Sequence, residues 1–126
     1  MVQKKLGIWM DHSTAHLMKF NAGSIETEII ESRLIDLENV KRLWKNVGRF
    51  MSYEKQQQWA YFSKLNEIIR DYKKIILFGP SDAKIELFDI LSEDERCLKI
   101  KVEIQQADQM TENQEQAFVK EYFSSN

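Results

Sequence analysis

The sequence predicts an α/β fold built on a mixed five-stranded sheet, three antiparallel strands then two parallel ones, with helices on both faces. Three observations carry that reading. Short apolar segments separated by turn residues fill positions 5–31, the pattern of an antiparallel meander. Ile75, Ile76, Leu77 and Phe78 form an unbroken apolar run closed by Gly79-Pro80, too short for a helix and suited to a strand buried on both faces. Directly behind it, Ser81-Asp82-Ala83-Lys84 opens a helix in which Ala83, Leu87, Phe88 and Leu91 recur at helical spacing. A strand that turns at once into a helix is half of an α/β unit, and such turns are where these folds hold ligands.

Taken in order, Lys5 to Asp11 is a strand with Leu6, Ile8 and Met10 on one face and Trp9 on the other, which suits a central position in the sheet. Asp11 to Thr14 is a turn, because Asp and Ser side chains bond their own backbone there. Ala15 to Phe20 is the second strand, Asn21 to Ser24 a second turn, and Ser24 to Glu31 the third strand. Between Glu31 and Tyr53 the spacing of Leu37, Val40, Leu43, Trp44 and Val47 predicts a short helix ended by Gly48. A longer helix follows from Glu54 to Tyr72, with Trp59, Phe62, Leu65, Ile69 and Tyr72 as its apolar stripe. After the strand-turn-helix at 75–91, Leu98 to Gln105 alternates cleanly and predicts the last strand, with Leu98, Ile100, Val102 and Ile104 facing inward. Thr111 and Gln114 then form a capping box that starts a final helix carrying Ala117, Phe118, Tyr122 and Phe123. The order β-β-β, helix, β-α-β-α fits a ribonuclease-H-like three-layer arrangement, in which the first strand lies beside the later parallel pair. No repeat, low-complexity segment or linker interrupts residues 1–126, so a single domain is expected.

The bulk numbers narrow the class. With 126 residues, 43% hydrophobic and 30% charged, the chain has the profile of one ordinary globular domain that builds a core without staples. A net charge of −2 excludes a polycation made to coat nucleic acid, so any such role must come from a local patch. The lone Cys97 has no internal disulfide partner, which fits a reducing compartment. The opening MVQKKLGIWMDH meets a charged turn before a signal peptide could form, and no run reaches membrane-span length. A soluble cytoplasmic protein is expected, with no membrane partner and no small-molecule cofactor.

GIWMDHSTAHLMKF, followed by IILFGPSDAKIELFDIL, KIKVEI and a closing helix, resembles the middle domain of eukaryotic and archaeal peptide-chain release factors and of Pelota. It looks still closer to small bacterial stand-alone proteins of that lineage. The likeness spans nearly the whole chain in element order. Its specific signals are the strand-Asp-turn-strand at Trp9 to Phe20 and the strand-G-x-S-x-x-K-x-E-L run from Ile75 to Leu87. The resemblance implies the ribonuclease-H-like fold of translational machinery components. It also implies a departure, since release factors carry a Gly-Gly-Gln tip between the third strand and the long helix. Here Glu31 to Gln58 contains only Gly48, and Gln56-Gln57-Gln58 has no paired glycines beside it. Side chains at such a tip would keep backbone amides from the ester of peptidyl-tRNA, so peptide release is not expected. Pelota-type domains also lack the tip and act as binding parts of ribosome-rescue machinery.

Three candidate sites follow. Lys41, Arg42, Lys45 and Arg49 lie in a stretch without acids, interleaved with Trp44, Phe50 and Tyr53. Cations neutralise phosphates and aromatic faces stack bases, so Lys41, Arg42, Trp44, Lys45 and Arg49 form the candidate RNA-binding surface. The competing reading is a short helix that buries Trp44 and Phe50. Asp11 and Asp82 fall at the carboxyl ends of adjacent parallel strands, where ribonuclease-H-like nucleases place metal-binding carboxylates. Against a catalytic role, Asp11 suits a hairpin turn and Asp82 the first turn of a helix. Ser81 and Lys84 could hold an anion at the helix start, although the turn lacks the glycine-rich pattern of a P-loop. His12 and His16 stand four apart across a turn with no further zinc ligand near them, so no metal site is assigned.

No catalytic constellation is complete. The expected function is a non-catalytic, translation-associated binding module contacting ribosome or tRNA. The alternatives are a metal-dependent nuclease using Asp11 and Asp82, or a protein-interaction domain, including a homo-oligomer joined through the exposed third strand.

Overall fold

The computed structural model describes residues 4–35 and 53–125, and its five strands pair in the order β3-β2-β1-β4-β5. These are β1 (Lys5–Met10), β2 (Thr14–Asn21), β3 (Ser24–Glu31), β4 (Lys74–Gly79) and β5 (Lys101–Gln106). β1 runs antiparallel to β2, with Trp9 opposite His16, and parallel to β4, with Trp9 beside Phe78. β2 pairs antiparallel with β3, and β4 parallel with β5. The predicted mixed sheet is therefore present, three antiparallel strands and two parallel, with β1 at its centre.

Among the described residues three α-helices cover it: α1 (Tyr53–Ile69), α2 (Ala83–Glu93) and α3 (Glu112–Ser125). The pleat sends alternate residues to opposite faces, and the core divides accordingly. Leu6, Ile8, Met10, Leu17, Ile75 and Leu77 meet Tyr61, Leu65, Ile69, Leu87 and Leu91 of α1 and α2. Trp9, Met18, Ile76 and Phe78 meet Val119 and Phe123 of α3. β1 and β4 are buried on both sides because each is covered twice, which is why β4 reads as a continuous apolar run. Gly7 lets α3 press onto β1, since a Cβ there would stand 2.3 Å from Cγ2 of Val119.

Several boundaries differ from the sequence expectation. α1 ends at Ile69 because its last turn tightens, the Asp71 and Tyr72 amides bonding three residues back to Ile68 and Ile69 at 3.3 and 3.0 Å. Its buried face is set by Tyr61, Phe62, Leu65 and Ile69, while Trp59, expected inside, is 38% exposed. β5 begins at Lys101 rather than Leu98, because Glu95–Cys97 forms a 3-10 turn whose bonds, Leu98 N–H to Glu95 and Ile100 N–H to Cys97, consume the ladder donors. Leu98 is consequently 66% exposed. On α3, Val119 takes the buried place and Ala117 faces out. The capping box forms as predicted: the Thr111 amide donates to Gln114 Oε1 at 2.9 Å and the Gln114 amide to Thr111 Oγ1 at 3.2 Å. The helix expected over Leu37–Val47 lies outside the described residues.

Candidate functional site

Asp11 follows the carboxyl end of β1, and Ser81, Asp82 and Lys84 follow that of its parallel neighbour β4. Asp11 closes the β1–β2 turn: its Oδ1 accepts the Ser13 and Thr14 amides, each at 2.8 Å. The turn is also tied to α1, because the buried Tyr61 hydroxyl donates to the Asp11 carbonyl at 2.9 Å. Burial, and after it the neighbouring Asp11 charge, push the Tyr61 hydroxyl well above its ordinary pKa, so it stays a proton donor at any physiological pH. Asp82 is exposed and sits one residue before α2, where its carbonyl accepts the Ile85 and Glu86 amides at 2.9 and 3.1 Å. Both aspartates thus stand at the predicted end of the sheet. Asp11, however, spends one oxygen on two backbone amides, and no group of three or more His, Cys, Asp or Glu among the described residues is arranged to hold a metal.

Behind Gly79 the turn is held by a buried clamp. Lys84, 1% exposed, donates from Nζ to the Ser81 carbonyl at 2.5 Å and to Gln106 Oε1 at 2.8 Å. Gln106 Nε2 returns a bond to the Pro80 carbonyl at 3.0 Å, and Ser81 Oγ accepts the Ala83 amide at 3.3 Å. Ser81 and Lys84 do come together, but the ammonium is enclosed by neutral oxygens that join α2 to the end of β5. Its geometry is that of a cross-link rather than of a cation offered to a dissolved anion.

The two histidines serve opposite faces. His12 bonds Glu86 on α2, while His16 Nδ1 lies 2.7 Å from Oε1 of Glu115, whose side chain is only 2% exposed. Trp9 lies tilted beside the His16 ring with centroids 5.0 Å apart. These partners lie 74 and 99 residues away, so helical or strand spacing carries no signal of them. Cys97 is buried, and desolvation, then Asp94, raises its thiol; a thiol so placed stays protonated and is a packing residue. Asp94 is held down to a pKa of about 2, chiefly by the Arg96 side chain that it accepts at 3.0 Å. With Arg70, Asn66 and Trp59, that pair lines an open cleft of about 560 Å³ on the α1–α2 side.

The RNA-binding candidates Lys41, Arg42, Trp44, Lys45 and Arg49 lie outside the described residues. The flanks of their segment are described. The Ser32 amide bonds the Ser13 carbonyl at 2.8 Å just before it. After it α1 runs from Tyr53 past the Asp11 turn toward the start of β4. Both flanks therefore belong to the carboxyl end of β1.

Taken together, the strand order and helix layers define an α/β domain of ribonuclease-H-like topology. No family model matches the chain, and no curated protein matches it in sequence. Solved structures do. Pelota of Thermoplasma acidophilum is similar over 99% of this chain and 33% of its own, with 16% identity and a TM-score of 0.58. An archaeal translation termination factor, aRF1, is similar over 94% of this chain and 34% of its own, at 17% identity and a TM-score of 0.55. Dom34 of S. cerevisiae, a translation termination-like factor involved in RNA quality control pathways and interacting with Hbs1, is similar over 96% and 37%, at 13% identity and a TM-score of 0.53. The chain spans about a third of the length of each, and so has the fold of one domain of these proteins.

Proposed function

We propose that the chain is a non-catalytic binding module of translation that contacts the ribosome or a tRNA through the segment Lys41–Tyr53. The observation that carries the reading is the fold match to Pelota and aRF1 over nearly the entire chain. The segment's four cations, absent acids and interleaved aromatics supply the chemistry for an RNA surface. Its flanks project from the end of the sheet opposite the close α1–β4 connection. Peptide release is outside the proposal, because residues 31–58 contain no paired glycines. Among the described residues no helix is long and apolar enough to cross a membrane, which is compatible with work on ribosomes.

Ribosome co-sedimentation at low and high salt tests this. The wild type is expected in the ribosomal pellet at low salt and to leave it as salt rises, since phosphate contacts are released by counterions. The triple variant Arg42→Glu, Lys45→Glu, Arg49→Glu should stay in the supernatant at both. Pelleting of that variant at wild-type levels would remove the segment from the interface.

A further inference from the structure

β5 forms the margin of the sheet opposite β3 and pairs, among the described residues, only with β4. The bonds at the two ends of that ladder fix its orientation. The Lys101 amide donates to the Lys73 carbonyl at 3.0 Å, and the Ala107 amide to the Gly79 carbonyl at 3.1 Å. Backbone direction alternates along a strand, so Val102, Ile104 and Gln106 turn their N–H and C=O groups away from β4. Side chains alternate between the faces as well. Val102 and Gln106 face α2, the first packed in its apolar layer and the second bonded to Lys84. Lys101 and Glu103 are exposed on the α3 side, where the Tyr122 hydroxyl bonds the Glu103 carboxylate.

The edge has an apolar flank. Leu98, Ile104 and, on α2, Ile85 are exposed, and Phe88, Leu91, Leu98, Ile100 and Val102 line a cleft of about 280 Å³ beside the strand. An extended segment laid along β5 would satisfy the outward backbone groups and cover this flank. The strand's own sequence supplies the complement. When two copies pair antiparallel about a two-fold axis at Val102, Lys101 of each faces Glu103 of the other, and Ile104 of each faces Ile100. The charges then occupy non-hydrogen-bonded positions, where facing side chains come closest. Glu103 has the capacity for this contact, since a carboxylate accepts more than one donor. No other position of β5 on the axis sets opposite charges directly across. Lys101 or Glu103 there would meet its own copy, and Ile104 there would place Lys101 against Ala107. β3 lacks this self-complementarity, because SIETEIIE contains glutamates and no lysine.

We infer that β5 is a homodimerisation edge, which pairs with β5 of a second copy of this chain so that the two sheets become continuous. The inference goes beyond the proposed function and does not rest on the Lys41–Tyr53 segment.

Sedimentation velocity over a concentration series tests it, with wild type, Lys101→Glu, Glu103→Lys, the exchanged Lys101→Glu/Glu103→Lys chain, and an equimolar mixture of the two single variants. The wild-type weight-average mass should climb with concentration towards that of two chains. Each single variant sets like charges across both facing pairs, so its dimer dissociation constant is expected to rise at least about tenfold. The exchanged chain and the mixture restore opposite charges in every pair and should recover association. Circular dichroism checks that each variant folds. Should Glu103→Lys fail to fold once its bond to Tyr122 is lost, Ile104→Pro takes its place beside Lys101→Glu. That substitution deletes an outward N–H and no bond to β4, so the chain should stay folded and monomeric. A wild type that remains monomeric throughout the series would overturn the inference. So would unchanged association in folded Lys101→Glu, or a mixture of folded single variants that fails to associate. Ribosome co-sedimentation of the 42/45/49 variant judges the proposed function independently of these outcomes.

Discussion

Gly79 shows how much of the carboxyl end of the sheet rests on one absent side chain. Its φ of +152° is one that L side chains rarely adopt, and a Cβ there would lie 2.2 Å from the carbonyl oxygen of Met10. The obstacle is backbone on the central strand, so it cannot rotate away. Gly79→Ala should cost at least about 2 kcal/mol, from strained backbone together with displacement of β1. Urea unfolding checks this, and a variant within experimental error of wild type would mean that β1 and β4 are less closely held than described. The sequence marks this position well, since Gly-Pro after an apolar run announces a strand end. The partners of single polar residues are not marked. Lys84 falls in an ordinary helix start, and its burial arises only because Gln106 arrives from β5 and the Ser81 carbonyl turns inward. His16 likewise meets Glu115 through the packing of α3. Polar contacts between distant segments depend on tertiary placement, which local pattern does not encode.

At the scale of elements, local chemistry was legible wherever a helix or strand was defined by its own residues. The capping box at Thr111 is such a case, because donor and acceptor both lie within four residues. Thr111→Ala should lower stability by about 1 kcal/mol, the usual effect of losing a side-chain cap, while Thr111→Ser should retain most of it. Matched unfolding curves for the two substitutions provide the measurement, and equal loss in both would point to the threonine methyl rather than its hydroxyl. The face of α1 was less legible. Trp59, Tyr61 and Phe62 are all aromatic, so two stripes, 59-62-65-69 and 61-62-65-69, fit the helical period equally. What selects the second is the Asp11 carbonyl, which satisfies the Tyr61 hydroxyl inside the core. The start of β5 was missed for a related reason. Alternation in LKIKVEIQ begins at Leu98, but the Asp94 carboxylate accepts the Arg96 amide at 2.9 Å and sets a 3-10 turn that delays the strand.

For the whole molecule, the apolar rhythm was enough to imply the layer order and the central place of β1, because a strand covered twice must be apolar twice. Surface arrangement was less accessible, since the alignment of Lys5, Lys74 and Lys101 on neighbouring strands exists only in the folded register. The same register bears on self-association. β3 forms one margin of the sheet and pairs only with β2 among the described residues, leaving backbone groups along its outer side. Ile29 there is 58% exposed, which would favour addition of a second copy. Glu26 and Glu28 alternate with the apolar residues, and antiparallel pairing of two β3 strands would bring carboxylates from both copies close together across the new ladder. Charged side chains on an edge oppose such pairing. Lys19 answers Glu28 only across 3.6 Å between exposed side chains, a contact worth little, so the edge stays acidic. Replacing both with Glu26→Thr/Glu28→Thr keeps strand propensity and removes the repulsion. In sedimentation velocity at neutral pH, the double variant should show a weight-average mass that rises with concentration more steeply than that of the wild type. Identical concentration dependence in the two proteins would show that these glutamates do not guard the edge, and that association, where it occurs, uses another surface.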